Sequence, residues 1–478
     1  MLGSFGELLR RHRRAVGMTQ ETLAETAALS ARTVGNLERG RARVPQRRSV
    51  EALAAALGLA GPVRADFLRA ATAERALRGG AGGVRNVSGG SPRPLVRPAQ
   101  LPSDIADFTG RAAELERLDE ILAGAGNGAG AEAMAMAVLT GPAGVGKTVT
   151  AVRAAHRARE RFPDGQLHLD LRGRTETPPD PTALLGRLLR MLGVPAEEVP
   201  HGEPERVARY RGLVAGRRFL LLLDDAADPA QLAPLLPDTG SCGVLVTSRR
   251  RLTTGQYPGQ HLELGPFERP DATALLGRLI GVDRVAAEPA AVDQVLAACA
   301  GLPLALRAAG ARLAGRPTWG VAALAERLGD RERLLDELVA GDLSVRQGLR
   351  ESYLALSGGG SEQPRRTGRV AWAGLAPVVQ DRAAVLSAAE VFRLLGGLPG
   401  DRFCGWSLAA RLALPRSGVA AALEELTAAH LVEPLGGGDY RIPPLVKCYA
   451  TELAEFAQFA ESAESVEFAE LVELAELA

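Results

Sequence analysis

The sequence predicts a multidomain fold. It reads as an all-α helix-turn-helix head, an α/β domain whose parallel sheet carries the Gly-rich loop "GPAGVGKT", an α-helical lid and a winged-helix domain. Three observations predict this. Apolar residues recur at helical spacing through residues 5–77, in "TQETLAETAAL", "SARTVGNLERG" and "SVEALAAALGL". Near-continuous apolar runs, "AMAVLTG" and "RFLLLLDDA" among them, then alternate with helical stretches. That pattern belongs to strands buried on both faces of a parallel sheet. Late in the chain, "HLVEPLGGGDYRI" sets a Gly turn between two short strands, the form of a wing.

Bulk properties narrow the class. A chain of 478 residues holds about three or four domains. At 46% hydrophobic and 24% charged, the composition is that of a soluble globular protein. No apolar run reaches the roughly 18 residues of a membrane span, so no membrane partner is expected. The start, "MLGSFGELLRRHRRAVG", is basic and amphipathic without an apolar h-region, so it is not a secretion signal. Cys242, Cys299, Cys404 and Cys448 lack CxxC spacing and read as reduced core residues of a cytoplasmic protein. Lys147 and Lys447 are the only lysines, so abundant Arg reflects coding bias and is no evidence for nucleic acid by itself. Charge is nevertheless split. Residues 1–78 hold fourteen Arg against seven acidic residues, whereas 452–478 hold eight Glu and no base. A basic head and an acidic tail imply different partners.

In chain order, the head spans 1–78. Thr19 and Ser30 stand where helix N-caps belong, with Thr22 and Thr33 three residues on. Val34, Leu37 and Leu23 are core positions. Residues 79–103 are rich in Gly, Pro and Ser and read as a flexible linker. The α/β domain covers 104–268, with strands in "AMAVLTG", "QLHLDLRG", "RFLLLLDDA" and "GVLVTSRR". A helical lid covers 269–356, a Gly-rich loop 357–382, and the winged-helix domain 383–450. In the tail, 451–478, Glu recurs every three residues over most of its length. That period drifts around a helix, so the tail reads as a marginal or disordered acidic helix.

The chemistry sits in "VLTGPAGVGKTVTAV". Gly141, Gly146, Lys147 and Thr148 complete GxxxxGK[ST] between an apolar strand and an apolar-periodic helix. Gly141, Gly144, Val145, Gly146 and Val149 would offer backbone N–H groups to a phosphate, aided by the helix N-terminus. Lys147 would bridge β- and γ-phosphates, and the Thr148 hydroxyl would ligate Mg2+. The central unit is therefore a P-loop nucleotide-binding domain for ATP or ADP. Asp224, at the end of "FLLLLDDA", is placed to hold the Mg2+ water shell. Asp225 could orient or deprotonate an attacking water, or one of the pair could cap the helix in "ADPAQLAPLL". Arg249, in "VTSRRR", could sense a γ-phosphate, or Arg249 to Arg251 could be a solvated basic edge.

Taken in order, these pieces resemble the NB-ARC branch of the signal-transduction ATPases with numerous domains, over roughly 104–450. "FTGRAAEL" is similar to the family's entry motif, which implies that Arg111 lies near the nucleotide base; Ala112 stands where the family has Glu. "GLPLAL" is its most specific token, and the resemblance implies that Pro303 packs by the adenine and couples the lid to it. The family's His-Asp latch has no counterpart here. Pro443 and Pro444 stand in "DYRIPPLVKCYA", and neither can donate a hydrogen bond, so that contact is not carried over.

The head resembles the XRE/Cro-type helix-turn-helix family. The resemblance implies that residues 30–38 form a recognition helix for double-stranded DNA. Gln20, Arg32, Thr33 and Asn36 are its candidate contacts, with Arg39, Arg41 and Arg43 on phosphates. Together the parts resemble actinobacterial regulators. The expected function is a nucleotide-switched transcription regulator, a slow ATPase that forms a nucleotide-dependent homo-oligomer. The alternative is an ATPase doing ATP-driven work or defence signalling with the head as an adaptor. A third reading is a damaged or truncated family member.

Overall fold

The computed structural model describes residues 5–27, 29–38, 47–59, 63, 67, 97–125, 134–175, 178–252, 259–357 and 386–457. The chain divides into two compact units, residues 1–94 and 95–478.

The first unit is helical: α1 (Phe5–Ala15), α2 (Gln20–Thr26), α3 (Ala31–Glu38) and α4 (Arg47–Ala56). Both expected caps form. The Thr22 amide donates to Thr19 Oγ1 at 3.1 Å and the Thr33 amide to Ser30 Oγ at 3.1 Å. Leu23, Val34 and Leu37 are buried as predicted, beside Leu9, Leu53 and Phe67. The Phe5 and Phe67 rings meet at 5.0 Å. A buried carboxylate ties the helices together. Glu38, at the end of α3, receives Arg13 Nε at 2.6 Å, Arg13 Nη2 at 3.0 Å and Gln20 Nε2 at 2.6 Å. Arg10 adds a longer ion pair at 3.7 Å. Burial raises the Glu38 carboxyl, but the Arg13 and Gln20 hydrogen bonds and the Arg charges outweigh it and hold the group below its ordinary value.

The second unit is built on a five-stranded sheet. β1 (Ala135–Thr140), β2 (Gly165–Asp170), β3 (Phe219–Ala226), β4 (Gly243–Ser248) and β5 (Gln260–Glu263) lie in the order β2-β3-β4-β1-β5. All four pairings are parallel. The apolar runs of β1 and β4 are buried throughout, and β3 in all but one residue. Edge strand β2 instead alternates. β5 was not legible in the sequence. It is four mostly exposed residues, "QHLE", with no apolar run to mark it.

One boundary needs correction. The linker reading took in residues up to 103, yet the stretch from 97 onward is ordered. The Gln166 amide donates to Pro98 O at 2.6 Å and the Gln100 amide to Gln166 O at 3.1 Å. This segment extends the sheet past β2, because an edge strand leaves backbone groups that need partners. The rest of the linker lies outside the described residues.

After the sheet, helices Arg269–Ile280, Pro289–Ala298, Pro303–Ala314 and Val321–Gly329 pack in one apolar cluster with the sheet's neighbouring helices. A two-residue hairpin, Val339–Ala340 with Leu343–Ser344, leads into helix Val345–Ser357. Three further helices, Ala388–Gly396, Gly405–Leu412 and Arg416–Ala428, are interspersed with the strands of a small antiparallel sheet. That sheet has three strands rather than the two expected: Arg402–Cys404 pairs with Asp439–Arg441, which pairs with Glu433–Gly436. The extra strand, "RFC", is too short for a sequence signal. Most of the loop read at 357–382 lies outside the described residues.

The tail reading is also corrected at its start. Residues 444–457 form one helix, so 451–457 belong to the folded body. Arg346 grips Glu452 through Nε at 3.0 Å and Nη2 at 2.8 Å, and Ala454 is buried. Pro444 opens this helix, where a missing N–H costs nothing, and Pro443 O accepts from the Lys447 amide at 2.8 Å. The Lys447 ammonium caps the end of helix Ala388–Gly396, donating to Leu395 O, Gly396 O and Leu398 O. The tail beyond 457 lies outside the described residues. Among the described residues no helix is long and apolar enough to cross a membrane.

Candidate functional site

A cleft of about 280 Å³ opens at the carboxyl ends of β1 and β3, the usual ligand position in a parallel α/β sheet. The loop after β1 forms its floor. Gly141, Gly144 and Gly146 hold φ of 147°, 79° and 93°, which aims successive amides at one point before helix Lys147–Ala158 begins. Gly144, Val145, Gly146, Lys147, Thr148 and Val149 all line the cleft. Gly141 does not line it; its carbonyl accepts from Lys147 Nζ at 2.8 Å, and Pro142 O does so at 2.9 Å. Burial, then the neighbouring Arg249 charge, push the Lys147 ammonium down to about 7, against a smaller upward pull from Asp225 and Asp224.

Thr148 Oγ1 donates to Asp224 Oδ1 at 2.8 Å, and Thr247 Oγ1 donates to the same oxygen at 2.5 Å. One hydroxyl from the loop and one carboxylate from β3 thus converge, which is the donor set that fits a hydrated Mg2+. Asp225 sits in left-handed backbone at φ 58° and is buried. Its amide donates to Thr247 Oγ1 at 2.9 Å. Its carboxylate accepts from the Arg174 amide at 3.1 Å and faces Arg249 Nε at 3.7 Å. Burial raises this carboxyl against the pull of Arg249 and Arg174. Neither aspartate caps the short helix Pro229–Leu232; Asp228 does, accepting from the Gln231 amide at 2.9 Å.

Arg249 is largely covered, whereas the Arg250 and Arg251 side chains stay partly in solvent at 39% and 46% exposure. Arg249 Nη1 donates to Gly348 O at 2.9 Å, and Nη2 to Glu351 Oε2 at 2.8 Å. Arg250 faces Glu425 at 3.9 Å. The Arg251 amide donates to Ala428 O at 3.0 Å, while its side chain pairs with Glu263, which also faces His430 Nδ1 at 3.4 Å. These three consecutive residues therefore fasten the end of β4 to the helices of the carboxyl half.

The helical region also touches the loop directly. Leu304 N donates to Gly144 O at 3.1 Å, and Pro303 and Leu304 line the cleft. A Cβ at Gly144 would lie 2.7 Å from Leu304 Cβ. Gly144→Ala is thus expected both to strain the loop and to push helix Pro303–Ala314 away, destabilising the chain by about 2 kcal/mol. Thermal unfolding of the variant checks this; an unchanged midpoint would contradict the close approach. Arg111 acts beside the loop. Its guanidinium donates to Val145 O at 3.2 Å and Gly265 O at 2.5 Å, lies 4.8 Å over the Phe267 ring, and pairs with Glu114 at 2.9 Å. Glu114, two residues after Ala112, provides the carboxylate partner for Arg111. Ile105, Phe108 and Phe267 add apolar wall to the cleft, and Arg307 closes one side through Asp107 at 2.7 Å. Sequence reading singled out none of these apolar residues, nor Arg174, Arg307 or Glu351. Each reaches the site from a segment distant in sequence.

In the head, Gln20 turns inward to Glu38 instead of presenting a free amide. Thr33 is half-buried on α3 with its hydroxyl 2.7 Å from Ser30 Oγ, and Asn36 is also half-buried there. The side chain of Arg32, and Arg39, Arg41 and Arg43 entirely, lie outside the described residues.

Comparison with known proteins adds two domain assignments and one set of relatives. Residues 4–67 match the family model of a helix-turn-helix domain, and residues 132–234 that of an AAA domain. The chain is 41% identical over 362 residues to the regulatory protein AfsR of Streptomyces coelicolor, covering 75% of this chain and 33% of that protein. It is 40% identical over 361 residues to the regulatory protein AfsR of Streptomyces griseus, covering 75% of this chain and 34% of that one. The chain thus spans about a third of the length of these curated relatives. Among solved structures it is similar to a Walker-type ATPase of Pyrococcus abyssi at 14% identity and a TM-score of 0.44, over 74% of this chain and 99% of that one. The chain therefore joins a helix-turn-helix domain to an AAA-type P-loop domain and is homologous to the AfsR regulatory proteins.

Proposed function

We propose that the chain is a nucleotide-switched, DNA-binding transcription regulator of the NB-ARC type. In this reading the head is an XRE-type DNA reader, residues 269–356 are the lid, and 383–450 are a winged-helix domain. ADP with Mg2+ holds a closed chain. ATP opens it and allows several chains to assemble, so that their heads bind DNA together with the avidity a single head lacks. The site residues take the roles their types suit. Lys147 and the loop amides hold phosphates, Thr148 and Asp224 hold Mg2+, and Pro303 reports occupancy to the lid.

One observation carries the reading. The cleft is built into contacts with the carboxyl half, through Leu304 N on Gly144 O of the loop and through Arg249 of its wall on Gly348 and Glu351. A ligand in the cleft would bear on these contacts, and a switch requires that it favour one arrangement of the chain over another. The alternative of a fast working ATPase gains little support. Asp225, its candidate base, already faces Arg249 and the Arg174 amide. The measurement that decides is binding of a duplex selected from a random pool, with ADP and with a non-hydrolysable ATP analogue. Equal affinity in both would sink the switch. Turnover on the order of 1–10³ s⁻¹ would restore the working-ATPase reading.

Nucleotide affinity should also depend on pH. With its pKa near 7, Lys147 loses its proton as pH rises, and a phosphate needs it charged. Binding above pH 7 must therefore take up a proton, and Kd should rise by up to about tenfold per pH unit from 7 toward 9. Titrating ADP at pH 7, 8 and 9 tests this, and a flat profile would show that Lys147 stays charged.

A further inference from the structure

We infer that Glu351 sets the preference of the cleft for a diphosphate over a triphosphate nucleotide, by holding Arg249 away from the γ-phosphate position. The inference rests on the reading that the cleft binds adenine nucleotides. It adds a residue that neither motif nor spacing indicated.

The geometry is that of a partition. A second cleft lies beside the first, lined among others by Gly173, Asp228, Glu351 and Ser352. Arg174, Asp225 and Arg249 line both clefts, so they form the wall between them. Glu351 lines only the second. Arg249 could serve either side, and in this structure its guanidinium is committed to the second. It donates to Glu351 Oε2 at 2.8 Å and Gly348 O at 2.9 Å. Gln347 Nε2 donates to the other Glu351 oxygen at 3.0 Å, which fixes the carboxylate. Arg174 stands 4.0 Å from it.

Charge decides how such a wall responds. Arg249 and Glu351 side chains are only 20% and 23% exposed, so their pairing is less screened than a surface pair. A γ-phosphate brings up to two negative charges and three acceptor oxygens to the opposite face of the same guanidinium. It competes with Glu351 for Arg249; a β-phosphate alone, held deeper by Lys147 and the loop, does not. Glu351 therefore taxes ATP and leaves ADP alone. Its helix, Val345–Ser357, is also held to helix 444–457 through Arg346 and Glu452, so release of Arg249 frees a lever connected to that helix.

The test is equilibrium binding of ADP and of a non-hydrolysable ATP analogue to the whole chain. Wild type, Glu351→Gln, Arg249→Ala and the double variant are compared. Glutamine keeps an oxygen to accept one Arg249 bond but loses the charge. The expected result is analogue affinity raised by about tenfold in Glu351→Gln, with ADP affinity changed less than twofold. In the Arg249→Ala background the Glu351→Gln effect should vanish. Equal changes for both nucleotides, or an effect that persists without Arg249, would overturn the inference. Where Glu351→Gln fails to fold, Glu351→Asp, one methylene shorter, should move the analogue in the same direction by a smaller factor. Failure of wild type to bind either nucleotide would overturn this inference together with the function proposed above. Nucleotide discrimination that leaves DNA affinity unchanged would sink only the latter.

Discussion

Lys147→Ala is expected to lower ADP affinity at least about a hundredfold while leaving the fold intact. The side chain is buried, with Lys147 8% exposed, and it lines the cleft beside the loop amides. Truncating one partner of a buried, hydrogen-bonded charge pair costs about 2–5 kcal/mol, and a hundredfold is about 2.7 kcal/mol. Two effects reduce the loss. Lys147 gives up its bonds to Gly141 O and Pro142 O when it turns to a phosphate, and at neutral pH part of it must first regain a proton. Both belong to the wild type, so the variant escapes them. The fold should survive because alanine is a strong helix former at a first-turn position, and removing a desolvated charge relieves the core. Calorimetric titration with ADP, alongside thermal unfolding, separates the two outcomes. A variant that binds ADP within a few-fold of wild type would show that the loop amides alone carry the affinity.

Glu38→Ala is expected to unfold the helical head. Glu38 is 5% exposed, and its removal leaves Arg13, with a side chain 12% exposed, as an uncompensated buried charge. Breaking such a pair costs about 3–5 kcal/mol, and the lower end applies so near the surface. A head of this size has little reserve, because small domains bury a modest share of their surface. A change of about 3 kcal/mol is thus most or all of its stability. Glu38→Gln should be milder, since its amide oxygen still accepts from Arg13. The pH dependence has a definite sign. The folded carboxyl lies below its ordinary value, so its contribution is present above the ordinary carboxylate range. It is lost as pH falls through the folded value. Circular dichroism of the head between pH 6 and 3 would show this. A head whose melting is flat over that range would remove Glu38 as its clasp.

Much of this could be read in one dimension because local physics writes it there. "GPAGVGKT" requires glycines at left-handed positions and a helix at its end, and both constraints are contiguous in sequence. Apolar runs without alternation announced β1, β3 and β4, since both faces of those strands are covered. The caps at Thr19 and Ser30 depend on residues three apart. What escaped was either short or distant. β5 is four exposed residues, and the strand at Arg402–Cys404 is three. Pro98 and Gln100 looked like linker because a sheet edge recruits backbone, which has no side-chain signature.

By itself, then, the sequence determined that this chain has a helical head, a parallel sheet and a phosphate-binding loop. Only the tertiary structure decided what the charged residues around that loop do. Asp225, a candidate to orient or deprotonate a water or to cap a helix, faces Arg249 and accepts from the Arg174 amide. Arg249 could have been part of a solvated edge and proved to bond Gly348 and Glu351. Gln20, a candidate DNA contact by resemblance, also donates to the buried Glu38 carboxylate. The reason is physical. A backbone conformation is set by neighbours along the chain, whereas a charge is set by whatever the fold brings within a few ångströms. Arg249 and Glu351 are about a hundred residues apart until folding makes them partners at 2.8 Å.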